Sequence, residues 1–193
     1  MNTDYIVRPM NRKDVTQVAS IDREAFPTMW PPMNFYRELE NQLASYLVLV
    51  EKTAVIEQSD IENEEDGISG KVKRWLTPHG KDQGKIIAFA GFWIMAGEAH
   101  IIGVAVKSEY RRQGLGTLIL QELIDQAKQR QADCVTLEVR MSNYEAQRLY
   151  ASLGFVEMGV RRAYYTDNRE DAVIMTLKPV ASGNKALGKA SDL

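Results

Sequence analysis

Hydrophobic and polar positions along the chain repeat with two periods, and these mark out a succession of strands and helices. Tyr5-Ile-Val7 reads as a short strand that stops near Pro9. Val15, Val18, Ala19, Ala25 and Phe26 then share one stripe, which predicts a helix from about Arg12 to Phe26 with Asn11 as its N-cap. Pro27, Pro31 and Pro32 force a loop that carries Met29 and Trp30. A second short helix, near Asn34 to Gln42, sets Phe35, Leu39 and Leu43 on one face. Tyr46 to Val50 is a buried strand. Ile86 to Ile94 and Glu98 to Val106 are strands joined by a hairpin turn at Ala96-Gly97. A helix from Leu115 to about Gln129 repeats apolar residues at Leu115, Leu118, Ile119, Leu123 and Ala127. Cys134 to Val139 is a strand. Asn143 to Leu153 is a helix, with Ser142 and Glu145 spaced as a capping box and Gly154 as its stop. Phe155 to Arg161 and Asp171 to Leu177 form a last hairpin.

The order is β-α-α-β-β-β-α-β-α-β-β, in which hairpins and helical crossovers alternate. Such an order predicts an α/β (α+β) fold with a mixed, mostly antiparallel sheet and helices on both faces. Residues 1–177 read as one domain. Within it, the segment from about Lys52 to Gly84 breaks the pattern. Six acidic and no basic residues lie between Glu57 and Asp66, and Gly67, Gly70, Pro78, Gly80 and Gly84 punctuate the rest. This is the composition of a solvated polar insert; the alternative is a docking edge built on Lys71, Lys73, Arg74 and Trp75. Residues 178–193 turn to Pro, Ser, Gly, Lys and Ala, and read as a flexible tail.

Composition narrows the function classes. A chain of 193 residues suits one domain with a full core. A net charge of -2 argues against a nucleic-acid protein that depends on bulk charge. The single cysteine, Cys134, excludes an internal disulfide and reads as core. His79 and His100 lie far apart with no metal-ligand spacing, so no metal is expected. No basic region followed by an apolar core opens the chain, and no run of about 18 apolar residues occurs. No membrane partner is therefore expected, and the expected location is the cytoplasm.

Three stretches carry candidate chemistry. The first is Arg111-Arg-Gln-Gly-Leu-Gly116, between an apolar strand and a helix. Gly114 and Gly116 let main-chain N–H groups approach a ligand, and the helix start adds unpaired N–H groups and partial positive charge. The product is a phosphate or pyrophosphate site. A Walker A loop is excluded because Thr117-Leu118 follows Gly116, and a dinucleotide fingerprint because Ile119 stands where its third glycine would be. A glycine-assisted tight turn remains the alternative.

The second is Leu137-Glu-Val-Arg140. Period two sets Cys134, Thr136 and Glu138 on one face of the strand, and Val135, Leu137 and Val139 on the other. Glu138 is either a strand-end carboxylate paired with an arginine or a general base whose basicity partial burial raises. The third is the helix bearing Leu149, Tyr150 and Leu153 on one face. Tyr150 is either a core aromatic with its hydroxyl at the rim or the donor of a proton to a leaving thiolate. With a reference pKa of about 10, a tyrosine hydroxyl keeps its proton at neutral pH.

The glycine loop resembles the acyl-CoA pyrophosphate loop of the GNAT superfamily. Leu137 to Phe155, read as L-E-V-R-x-S-N-x-x-A-x-x-L-Y-x-S-L-G-F, closely resembles the ribosomal-protein-alanine N-acetyltransferases (RimI type) of that superfamily. So do Arg161-Arg-Ala-Tyr-Tyr165 and Glu170-Asp-Ala-Val-Ile-Met175. The resemblance covers about Tyr5 to Leu177.

It implies acetyl-CoA as acetyl donor and a protein or peptide N-terminus as acceptor, a ribosomal protein in the family's usual case. Main chain at Val104, Ala105 and Val106 would pair with the pantetheine arm. Arg111, Arg112, Gln113, Gly114, Leu115, Gly116 and Thr117 would hold the pyrophosphate, with Asn143 near the thioester. Glu138 would act as base and Tyr150 as acid in direct transfer within a ternary complex. Trp30, Tyr164 and Tyr165 would line the acceptor groove. The insert is longer than the turn expected there, which leaves open a small amine or lysine side chain as acceptor, or a non-catalytic CoA-binding interaction domain.

Overall fold

A computed structural model of the chain describes residues 5–28, 31–51 and 84–178. The insert, apart from Gly84, and the tail, apart from Lys178, lie outside the described residues. The strands are β1 (Tyr5–Pro9), β2 (Ala44–Glu51), β3 (Lys85–Met95), β4 (Glu98–Val106), β5 (Cys134–Arg140), β6 (Val156–Arg161) and β7 (Ala172–Leu177). The helices are α1 (Val15–Ala25), α2 (Phe35–Glu38), α3 (Leu115–Gln129) and α4 (Tyr144–Ser152). Element order follows the hydrophobic pattern throughout.

Local chemistry sets the helix ends. Asn11 Oδ1 accepts from the Lys13 amide at 2.9 Å, and Asp14 Oδ2 accepts from the Asn11 amide at 2.8 Å. This capping box opens on a 3₁₀ turn at Arg12–Asp14 before α1 begins. The second helix is shorter than expected and ends at Glu38. Asn41 Oδ1 takes the Leu43 amide at 3.0 Å, so the chain turns there rather than continuing. Leu43 is consequently exposed and off the face assigned to it, while Phe35 is buried. The cap of α4 is also displaced by one residue. Asn143 Oδ1, not the Ser142 hydroxyl, accepts from the Ala146 amide at 3.2 Å. Ser142 instead donates its amide to Glu170 Oε1 at 2.7 Å.

The seven strands form one sheet in the order β1-β2-β3-β4-β5-β7-β6. Every neighbouring pair is antiparallel except β4–β5, which is parallel. α3 and α4 cover one face. Their apolar stripes pack on Leu47, Leu49, Ile87, Phe92, Ile101, Leu137 and Val139. α1 and α2 cover the other face over β2 to β4 only, where Val18, Ile21 and Phe35 meet Val48, Ile86 and Phe89. Thr136, Glu138 and Thr176 share that second face on β5 and β7, beyond the reach of α1 and α2. The two threonine hydroxyls satisfy each other at 3.2 Å. The sheet thus carries a polar half-face beside a covered one, and the boundary between them runs between β4 and β5.

Candidate active site

The parallel pairing of β4 and β5 is short. It joins Glu98–His100 to Cys134–Thr136 and then stops. β3 and β4 lose register between Gly91 and Phe92, which leaves Ile102 as an extra residue on β4. Past this bulge the two strands part. Between them opens a cavity of about 810 Å³, lined by both strand ends, the end of α1, the start of α4 and the β6–β7 loop.

One wall is the free edge of β4. Lys107 donates its amide to Ile87 of β3 at 2.9 Å. Antiparallel alternation turns the main chain of Ala105 toward β3 as well, and leaves Val104 and Val106 facing the edge. The Val106 carbonyl accepts from Arg111 Nε at 3.0 Å, which ties the glycine loop to the strand end.

That loop then enters α3. Arg112 and Gly114 take φ of 63° and 78°. The left-handed value at Gly114 is what requires glycine there, since a Cβ at that position would meet nothing within 4 Å. Leu118 is the first residue of α3 to bond back, its amide reaching the Gly114 carbonyl at 3.0 Å. The amides of Leu115, Gly116 and Thr117 therefore head the helix without intrahelical partners. Leu115 packs into the core, and Gly116 lies against Leu149 of α4. Arg112 faces solvent and pairs with Glu145 at 3.0 Å, and Gln113 Nε2 reaches the Glu109 carbonyl at 3.5 Å.

Glu138 sits where the strands part, its side chain 6% exposed. His100 Nε2 lies 2.9 Å from Oε2, and Arg161 lies 3.0 Å from Oε1. Glu138 thus has the arginine partner that one of the two sequence readings expects, and it also lines the cavity. His100 Nδ1 faces Glu98 at 3.9 Å and is half-buried. Across the cavity, Tyr150 of α4 is half-buried with its ring against Phe155. Its hydroxyl has no hydrogen bond among the described residues, and burial pushes its pKa up to about 12.

The β6–β7 loop closes the far side. Tyr164 and Tyr165 pack edge to face at 5.2 Å between centroids. Arg140 lies 3.9 Å above the Tyr165 ring and pairs with Asp167 at 2.8 Å and Glu170 at 3.2 Å. Burial pushes the Tyr165 hydroxyl up to about 12, against the pull of Arg140. Hydrogen bonds from Ser142 hold Glu170 down to about 2. Asp167 Oδ2 also accepts from Thr28 Oγ1 at 2.6 Å, so the loop is fastened to the segment after α1.

The structure thus gathers Val104, Glu138, Asn143, Tyr150, Tyr164 and Tyr165 around one cavity, with the glycine loop below the free β4 edge. Trp30 lies outside the described residues. His100, Arg161, Arg140 and Asp167 were not foreseen. His100 has no metal-ligand spacing to His79 in the sequence, and the parallel register with Thr136 is what brings it to Glu138. Among the described residues, no group of three or more His, Cys, Asp and Glu is placed to hold a metal ion.

Known proteins resemble this chain in sequence and in fold. A Bacillus subtilis (strain 168) protein, provisionally named a [ribosomal protein bS18]-alanine N-acetyltransferase, is 35% identical over 91% of this chain and 96% of its own length. An N-alpha-acetyltransferase of Sulfurisphaera tokodaii is 31% identical over 89% of this chain and 92% of its own. The crystal structure of the ribosomal-protein-S18-alanine N-acetyltransferase from Escherichia coli superposes with a TM-score of 0.68 at 28% identity. The match covers 95% of this chain and 98% of that one. The model of the acetyltransferase (GNAT) family matches residues 15–155, which span α1 through α4 and every wall of the cavity but the β6–β7 loop. The chain belongs to the acetyltransferase (GNAT) family.

Proposed function

We propose that the chain transfers the acetyl group of acetyl-CoA to the N-terminal α-amine of a protein, an N-terminal alanine of a ribosomal protein being the acceptor its relatives' names favour. The observation that carries this reading is Glu138, buried at the parting of β4 and β5 and in contact with His100. A base there meets a donor lying along β4 and an acceptor entering past the β6–β7 loop.

The residues present fit acetyl-CoA. Main chain at Val104 and Val106 offers the free edge to the amide-bearing pantetheine arm, as a strand edge can. The amides of Leu115, Gly116 and Thr117, together with Arg111 and Arg112, suit its pyrophosphate. Asn143 lines the cavity from the start of α4 and would contact the cofactor near its thioester.

The acceptor nitrogen forms a C–N bond to the thioester carbonyl carbon, and the C–S bond breaks. Glu138 takes a proton from the incoming ammonium, and each carboxylate oxygen keeps a lone pair free besides the one used on Arg161 or His100. His100, half-buried and in contact with both Glu138 and solvent, gives that proton a way out. Tyr150, protonated at neutral pH, supplies a proton to the departing sulfur, and the nitrogen's second proton, released as the amide forms, restores the Tyr150 hydroxyl through solvent. An α-amine has a reference pKa of about 8 and a lysine about 10.4. At about pH 7.5 roughly a quarter of the first is neutral, against roughly a thousandth of the second. One carboxylate has far less work to do on the α-amine.

The test is a peptide that begins with alanine and carries an internal lysine, incubated with the protein and acetyl-CoA. Fragment masses place the acetyl group on the amino terminus. Modification of the lysine with a free amino terminus refutes the reading and favours a lysine or small-amine acceptor.

A further inference from the structure

The glycine loop is held between α3 and the turn that precedes it. Downstream, Leu115 anchors it in the core. Within it, the side chains of Arg112 and Gln113 make only exposed contacts, to Glu145 and to the Glu109 carbonyl. Upstream, its place is set by the 3₁₀ turn Ser108–Tyr110. The Tyr110 amide bonds to the Lys107 carbonyl at 2.9 Å and the Arg111 amide to the Ser108 carbonyl at 3.2 Å, so the chain leaves this turn in a fixed direction.

The turn is itself fastened at both ends. The Ser108 amide donates to Glu24 Oε1 of α1 at 2.9 Å. The Tyr110 hydroxyl donates to Glu51 Oε2 at 2.9 Å and accepts from Lys85 Nζ at 2.8 Å. Glu51 ends β2, Lys85 begins β3, and the two are register partners. One hydroxyl therefore ties the root of the insert to the turn that carries the glycine loop. Both partners are ionised, which makes these bonds stronger than neutral ones. The Tyr110 hydrogen bond pushes the Lys85 pKa up, with burial opposing. The Tyr110 ring packs against the core on the α3 face, a task that a phenylalanine ring would perform equally. The hydroxyl serves the tether alone.

We propose that Tyr110 is a positioning residue for acetyl-CoA binding, its hydroxyl holding the pyrophosphate loop in place against the ends of β2 and β3 through Glu51 and Lys85. The proposal rests on the donor site assigned above. Amides already aimed at an anion bind it without first being ordered, and a loop released on one side loses that advantage. The tether acts on the phosphate half of the donor. It touches neither Glu138 nor the β6–β7 loop, so the acceptor is not its concern.

The test measures binding of acetyl-CoA and of S-acetylpantetheine, which lacks the pyrophosphate, to the parent, Tyr110→Phe, Glu51→Ala and Glu51→Gln. Calorimetry reads the first ligand, and competition against it reads the second. Tyr110→Phe is expected to bind acetyl-CoA several-fold more weakly and to keep its affinity for S-acetylpantetheine within about twofold. Glu51→Ala moves the same way by a smaller factor, since Lys85 still holds the hydroxyl. Glu51→Gln, whose amide oxygen still accepts, keeps most of the parent's affinity. In two-substrate kinetics Tyr110→Phe raises the KM of acetyl-CoA, and the acceptor KM and kcat change less. An unchanged acetyl-CoA affinity in Tyr110→Phe overturns the proposal. So does an equal loss of both ligands, which is what a merely structural hydroxyl would give. A parent that binds S-acetylpantetheine as tightly as acetyl-CoA refutes the pyrophosphate loop itself, and the proposal falls with it. A parent that discriminates between the two ligands but acetylates no α-amine refutes only the proposed acceptor, and calorimetry still decides the role of Tyr110.

Discussion

Nε2 of His100 lies 2.9 Å from Oε2 of Glu138, although 38 positions separate them in the chain. The pair exists because β4 and β5 run parallel for three residues and then part. Glu138→Gln keeps the shape and removes the base. Turnover is expected to fall on the order of 10²–10⁴-fold, the usual range for a positioned acid–base group, with acetyl-CoA affinity changed far less. His100→Gln is expected to fall less steeply and to alter the pH profile. Steady-state rates across pH with calorimetric CoA binding check both, and unchanged rates in both variants would remove the pair from the mechanism.

Tyr150→Phe deletes only a hydroxyl that has no hydrogen-bond partner among the described residues, on a side chain that lines the cavity. Its loss leaves no unsatisfied group behind, so stability is expected to change by less than about 1 kcal/mol. Turnover is expected to drop, with binding of acetyl-CoA kept. A rate equal to the parent's would make Tyr150 a wall and not an acid.

Gly114 combines φ of 78° with a place at the head of α3. Gly114→Ala meets no neighbour but must hold a left-handed backbone, at about 1 kcal/mol. Gly114→Asp adds negative charge beside the free amides of Leu115, Gly116 and Thr117, which the proposed function gives to the pyrophosphate. Acetyl-CoA is expected to bind the alanine variant several-fold more weakly and the aspartate variant far more weakly still. Calorimetry with acetyl-CoA and with a CoA fragment lacking the pyrophosphate half checks this. Equal affinity for acetyl-CoA in parent and Gly114→Asp would show that the loop holds no phosphate.

Asp14 tests stability apart from catalysis. It is 1% exposed and takes two hydrogen bonds from Arg8, at 2.6 and 2.9 Å, and one from the Asn11 amide. Burial alone would raise its pKa, but the Arg8 and Asn11 hydrogen bonds outweigh it and the net direction is down. A folded-state pKa below the unfolded one means fewer protons bound when folded. The stabilisation is therefore present above the ordinary aspartate range and lost as pH falls through the lowered folded value. Asp14→Ala is expected to cost about 3 kcal/mol near neutral pH, since it strands part of a pair with one buried member. The deficit shrinks in acid. Urea midpoints at several pH values check both the size and the sign.

Much of this architecture was legible in the chain because periodicity reports burial directly. α3 buries Leu115, Ile119, Leu123 and Ala127 of the stripe that its period marks, with Leu118 half-buried, and β3 is buried along its apolar run. Glu138 stood out for the same reason, as a carboxylate on a strand otherwise apolar but for Thr136. What stayed hidden depends on partners across the sheet. His100 looked isolated, since nothing local shows that β4 lies beside β5 and parallel to it. The short α2 and the cap at Asn143 turn on single side-chain hydrogen bonds, which several neighbouring polar residues compete to make. Asp22 falls on the apolar stripe of α1, four residues after Val18 and three before Ala25, and is buried with it.

Thr28 and Asp167 form a clasp at the wall of the large cavity, on the side that the proposed function gives to the acceptor. Both line the large cavity, one after α1 and the other between β6 and β7. Asp167 is held from two sides, by Thr28 at 2.6 Å and by Arg140 at 2.8 Å. Arg140 also lies on Tyr165, so the clasp and the aromatic pair move as one unit. Asp167→Ala releases Thr28 and leaves Arg140 with Glu170 alone. These bonds are exposed and screened by solvent, so their loss is expected to act by only a factor of a few. That factor is expected in the KM of the acceptor peptide, because the clasp shapes the entrance and touches neither Glu138 nor the glycine loop. The KM of acetyl-CoA is expected to stay within about twofold, and kcat to change less than the peptide KM. Thr28→Val is expected to move the same constant in the same direction by a smaller factor, since Arg140 still anchors Asp167. Two-substrate kinetics separates these constants. An Asp167→Ala variant that raises the acetyl-CoA KM instead would place the clasp on the donor side of the cavity.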